Sequence, residues 1–98
     1  MDVLDWLVDM HEPNNEGNWK HAFNLHIGTL INVPGWCIDL NLVNTPYEKI
    51  PFNAIEIERT DSDWISCVKT DGRLYCAGGV RNLKEMLVII QKWMADKP

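Results

Sequence analysis

The sequence predicts an α+β domain: an N-terminal helix, a five-stranded, mostly antiparallel meander sheet and a C-terminal helix. Three observations carry this expectation. Apolar residues recur near a 3.6-residue period at the two ends of the chain, and between them the period drops to two. The links between successive strand-like segments are too short for parallel pairing, which needs crossovers of about a dozen residues or more.

The first helix rests on Val3, Leu4, Trp6, Leu7, Val8 and Met10, with Asp2, Asp5 and Asp9 on the opposite side. Pro13 to Asn18 is rich in turn formers and ends it. From His21, Phe23, Leu25 and Ile27 alternate with Asn24, His26 and Gly28 as in a strand with one buried face. The turn Asn32-Val33-Pro34-Gly35 leads into the clearest strand, in which Trp36, Ile38, Leu40 and Leu42 share one face and Cys37, Asp39 and Asn41 the other.

After a connection at Thr45 to Pro51, the segment Phe52 to Arg59 sets Ile55 and Ile57 against Glu56 and Glu58. Trp64 to Thr70 and Arg73 to Ala77 flank Asp71-Gly72, a two-residue hairpin signal because both residues tolerate positive φ. Counting outward from that turn pairs Val68 with Tyr75 and Cys67 with Cys76. Gly78-Gly79 breaks the last strand. Asn82 and Glu85 then form a candidate capping box ahead of Leu83, Leu87, Ile90 and Trp93, giving a helix to about Met94.

One domain over residues 1–98 is expected, because a chain of 98 residues buries roughly two-thirds of its unfolded surface and has little material for a second core. The 46% apolar fraction, five Trp and 23% charged residues suit a globular class. A net charge of −5, from 14 acidic and 9 basic residues, disfavours direct contact with nucleic acid or anionic lipid and would steer in a basic partner. No segment approaches the ~18 apolar residues of a membrane span, and Met1 to Asp5 lacks a secretory leader's basic and apolar stretches. Cys37, Cys67 and Cys76 form no Cys-x-x-Cys pair, which suits a reducing, cytoplasmic setting.

Four features of the sequence bear on chemistry. Cys76-Ala77-Gly78-Gly79-Val80-Arg81 resembles the Cys-x-x-Gly-x-Arg loop of rhodanese-type sulfurtransferases, but that fold needs a parallel sheet with crossover helices. His21 and His26 point to opposite faces of a regular strand, so no metal site is expected. No nucleophile pairs with a His at a recognisable spacing and no phosphate-cradling loop occurs. The expectation is a non-enzymatic binder without a cofactor, with a sulfurtransferase using Cys76 as the alternative, or a regulatory module unrelated to toxins.

The order of Asn18-Trp19-Lys20-His21, Ile27-Gly28-Thr29-Leu30, Pro34-Gly35-Trp36, Ile38-Asp39-Leu40, Asp63-Trp64-Ile65, Gly78-Gly79, Asn82-Leu83 and Trp93 resembles the bacterial immunity protein 53 family. Asn18 and Lys20 stand where that family places acids, and Ile31 where it places Asp. The resemblance implies a protein that binds a cognate toxin C-terminal domain in polymorphic-toxin or contact-dependent inhibition systems. A basic nuclease would suit an acidic inhibitor, which would occlude its active site or substrate cleft as a monomer. Candidate contacts are Asp39, Asn41, Glu56, Glu58, Asp61 and Asp63, with Trp19, Trp64 and Tyr75 as possible aromatic anchors. Trp36 and Trp93 are assigned to the core.

Overall fold

The computed structural model describes residues 2–11 and 24–95. Its elements are α1 (Val3–His11), β1 (Asn24–Thr29), β2 (Trp36–Asn41), β3 (Ile55–Thr60), β4 (Asp63–Thr70), β5 (Arg73–Gly78) and α2 (Leu83–Ala95). The α+β class and the five antiparallel strands are as the sequence predicts. Trp19 and the first residues of the expected first strand lie outside the described residues.

Strand order departs from a meander. The sheet reads β1-β2-β5-β4-β3, so β5 lies between β2 and β4 while β3 takes an outer edge. Burial explains the exchange. The inward residues of β5, Leu74 and Cys76, are both 0% exposed, and a strand that deep is stabilised by neighbours on both sides. Glu56, Glu58, Arg59 and Thr60 leave β3 with a polar, exposed run that suits an edge.

That order sends residues 42–54 across the end of the sheet, beneath the β4–β5 turn. Asp71 and Gly72 take φ of 51° and 80°, the paired positive values of a tight hairpin. The Gly72 carbonyl accepts the Leu42 N–H at 2.7 Å. Lys69 crosses from β4 to donate to the Glu48 carbonyl at 2.7 Å, and Thr45 closes a local turn by donating to the Leu42 carbonyl at 2.7 Å.

α2 lies over one face of the sheet. Met86, Leu87, Ile90 and Met94 recur at helical spacing and are buried against a core that includes Ile38, Leu40, Ile65, Cys67, Leu74 and Cys76. Its C-terminal end is tied to the crossing segment: the Tyr47 hydroxyl donates to the Met94 carbonyl at 3.2 Å, and the Trp93 indole donates to the Pro51 carbonyl at 3.1 Å. Phe52 meets Trp93 edge-on, with ring centroids 5.5 Å apart.

α1 packs on α2 through Val3 and Met10. Leu4 and Val8, expected on the same apolar side as Val3, are instead 63% and 64% exposed. At roughly 100° per residue they fall about 100° and 140° round from Val3, whereas Leu7 and Met10 return close to it.

Candidate functional site

Both helices lie on one face, so alternate residues of every strand face outward on the other. The registers align His26, Asp39, Tyr75 and Val68 in one row across β1, β2, β5 and β4. A second row joins Asn24, Asn41, Arg73 and Thr70, and a third joins Gly28, Cys37, Ala77, Ser66 and Glu56. Trp64 and Glu58 face each other across β4 and β3. No helix covers this surface among the described residues.

Its centre is apolar, with Tyr75 43% and Val68 45% exposed. Desolvation raises the Tyr75 phenol above its usual pKa, and Cys37 and Asp39 add to the shift, so at neutral pH the ring presents an uncharged hydroxyl. Beside it Arg73 grips Asp39 through two bonds of 3.1 and 2.8 Å. That bidentate fork fixes both side chains and leaves their charges largely balanced.

The β3 side carries unbalanced charge. Glu56 accepts the Ser66 hydroxyl at 2.6 Å, and no ion pair reaches Glu56 or Glu58 among the described residues. A shallow depression of about 570 Å³ runs here, lined by Glu56, Glu58, Asp61, Trp64 and Ser66 among others. Carboxylates around an indole face make a surface that attracts cations and gives them something to stack on.

Of the contacts expected from the sequence, Asp39, Asn41, Glu56, Glu58, Trp64 and Tyr75 therefore share one uncovered face. Asp61 is exposed in the β3–β4 turn at its rim. Asp63 is directed elsewhere, into a brace between β3, β4 and α2. Its carboxylate accepts the Asn82 amide at 2.9 Å and Arg59 at 2.9 Å, and those two bonds, the first above all, hold its pKa below the usual carboxylate range. Glu85 meets Arg59 at 2.8 Å and is likewise depressed. Its carboxylate accepts the Asn82 side-chain amide at 3.2 Å, while Asn82 turns its oxygen to the Trp64 N–H at 3.3 Å and gives its own N–H to the Gly79 carbonyl, so the expected capping box does not form and both side chains serve the link to the sheet.

Sequence reasoning missed Val68, Arg73 and Ser66. The signal was present in the hairpin register, because pairing Val68 with Tyr75 sets both on one face.

The Cys76 loop offers no accessible nucleophile. Cys76 faces the helices, 0% exposed, directly across from Cys67 at 1%. A hydrogen bond with Cys67 and desolvation push its pKa far above the usual thiol range, which suppresses the thiolate that sulfur transfer requires. The described residues hold no group of His, Cys, Asp and Glu arranged to bind a metal ion, and no described helix is long and apolar enough to cross a membrane.

A family model described as immunity protein 53 matches residues 4–95. No curated protein and no solved structure matches the chain.

Proposed function

From the premise that this chain belongs to the immunity protein 53 family, we propose that it binds a cognate toxin domain through the uncovered sheet face and covers that toxin's active site or substrate cleft. The observation that carries this reading is the surface itself: exposed Tyr75 and Val68 at the centre, Glu56 and Glu58 on one flank and the fixed Asp39–Arg73 pair beside them. A buried aromatic anchor inside a charged rim is how protein interfaces concentrate their affinity.

The face is large enough. Five strands at about 4.8 Å and six residues at about 3.4 Å give roughly 19 by 20 Å between backbone axes. With its side chains and rim, that is of the order of the ~800 Å² each partner contributes to a standard interface.

The charge favours a nuclease as the target. A cleft built for phosphate carries Lys and Arg, and a face bearing Glu56 and Glu58 on a chain of net charge −5 competes for those groups and speeds encounter. The chain acts as a monomer in the cytoplasm of the cell that makes the toxin.

The test is co-expression with a candidate cognate toxin domain. The wild type protects the cells, and Glu56→Lys combined with Glu58→Lys, or Tyr75→Asp, removes protection while the purified variants keep the wild-type circular dichroism. Substitutions on the helical side, such as Asp9→Lys, leave protection intact. Folded face variants that protect fully would refute the assigned surface, and a toxin that leaves DNA and RNA whole would refute the nuclease assignment.

A further inference from the structure

β3 is an outer strand, paired with β4 along one edge only. Among the described residues no strand lies against its other edge, so alternate residues direct N–H and C=O groups outward with no strand to receive them. Side chains alternate as sharply from Ile55 to Glu58, ahead of the register shift between Glu58 and Thr60. Glu56 and Glu58 stand exposed on the uncovered face, and Ile55 and Ile57 stand half-buried on the helical side. The strand's basic residue, Arg59, is already held by Asp63 at 2.9 Å and Glu85 at 2.8 Å, which leaves the two glutamates as the charge an approaching chain meets.

Resting on the reading that this chain binds a partner protein, we infer that the free edge of β3 takes an extended basic segment of that partner as a sixth strand. Side chains of an added strand alternate with the same period of two. Lys or Arg at every second position would lie beside Glu56 and Glu58, at the ~5 Å typical of cross-strand neighbours. The residues between them, if apolar, would extend the row that Ile55 and Ile57 begin. Trp64, one strand further in and opposite Glu58, gives a long cationic side chain an aromatic face to lie against.

The same geometry argues against a second copy at this edge. Antiparallel pairing of β3 with itself about Ile57 would set Glu56 of each copy against Glu58 of the other, and like charges directly opposite are destabilising. The opposite edge strand, β1, has the sequence NLHIGT and no carboxylate to select a basic segment. Backbone pairing supplies the attraction at β3, and the glutamates choose the occupant.

The experiment is amide hydrogen exchange on the full chain, alone and in its purified complex with the co-expressed toxin domain. Outward-directed amides within Ile55–Thr60 are expected to exchange at least about tenfold more slowly in the complex, and Glu56→Lys with Glu58→Lys to weaken the complex by at least about tenfold. A complex that neutralises the toxin while β3 exchanges as in the free chain would overturn strand addition and leave the binding function standing. Failure to form any complex overturns both. Protection of β3 in the isolated chain together with a doubled mass would make a second copy the occupant, against this inference.

Discussion

Replacing Asn82 with alanine is expected to destabilise the fold by about 2 kcal/mol. Asn82 is 3% exposed and joins β4 to α2 through three bonds: its oxygen accepts the Trp64 N–H at 3.3 Å, and its amide donates to Asp63 at 2.9 Å and Glu85 at 3.2 Å. These bonds do not contribute equally. The two carboxylates keep Arg59 as a partner, and with side chains 37% and 40% exposed they regain water when the amide is lost, so those two losses contribute little. The Trp64 N–H is part-buried and loses its acceptor, a loss of roughly 1–2 kcal/mol. For a domain of this size each kcal/mol lowers Tm by roughly 4–8 °C, so the expected fall is about 8–16 °C. Urea titration followed by tryptophan fluorescence reads the same change as a lower midpoint at an unchanged slope. The control is Asn82→Asp, which keeps the shape but sets a third carboxylate beside Asp63 and Glu85. Repulsion raises its folded-state pKa, so its penalty grows as pH rises and shrinks in acid. An alanine variant within about 0.5 kcal/mol of wild type, or an aspartate variant as stable as wild type at pH 7, would refute the bridging role.

Three other outcomes follow from the same fold. A thiol reagent is expected to label half-exposed Cys37 rapidly and buried Cys67 and Cys76 only on unfolding; three fast reactions would refute the burial. The depressed Asp63 and Glu85 stabilise the fold fully above the unfolded carboxylate pKa, and that contribution is lost as pH falls through their folded values, from about pH 5 downward. Arg59→Ala should flatten this acid limb in urea midpoints measured across pH, and parallel curves for the two proteins would contradict it. A Cβ on Gly79 would collide with the Ser62 carbonyl oxygen, whereas one on Gly28 meets the Cys37 sulfur at an ordinary 3.6 Å. Thermal melts should therefore show Gly79→Ala unfolded or weakened by more than about 3 kcal/mol and Gly28→Ala close to wild type.

Local signals in the sequence reached the structure almost unchanged. The Asp71-Gly72 turn fixes its register within four residues, so the pairing of Cys67 with Cys76 and of Val68 with Tyr75 could be counted outward from it. Alternation in β2 likewise placed Ile38, Leu40 and Leu42 inside, all 0% exposed. Strand order was not legible, because Arg-Leu-Tyr-Cys-Ala-Gly alternates like an edge strand and nothing near it marks β2 as its partner. The role of Asp63 was hidden for the same reason. An acid after a turn reads as a solvated charge, and its brace depends on Asn82 and Glu85, which only the fold brings near. Asp39, Asn41, Glu56, Glu58, Trp64 and Tyr75 were legible one by one, but their common face required the sheet order.

That order also explains why the face is bare and why its composition matters. α2 follows β5 after residues 79–82, with the Gly79 N–H bonded to the Trp64 carbonyl at 3.1 Å, and so short a link from a central strand holds the helix over the sheet's middle. α1 then packs against α2 and not against the opposite face. A sheet covered on one side needs only alternation, apolar inward and polar outward. Asp39, Asn41, Glu56 and Glu58 obey that rule, but Tyr75 and Val68, facing each other across β5 and β4, break it side by side, and Trp64 breaks it further along β4. Solvation alone favours polar groups there, and adjacent apolar side chains on an open surface mark a site of association. If they were merely tolerated, Tyr75→Ser with Val68→Thr would leave toxin protection unchanged. The binding reading requires protection to fall while stability holds or rises.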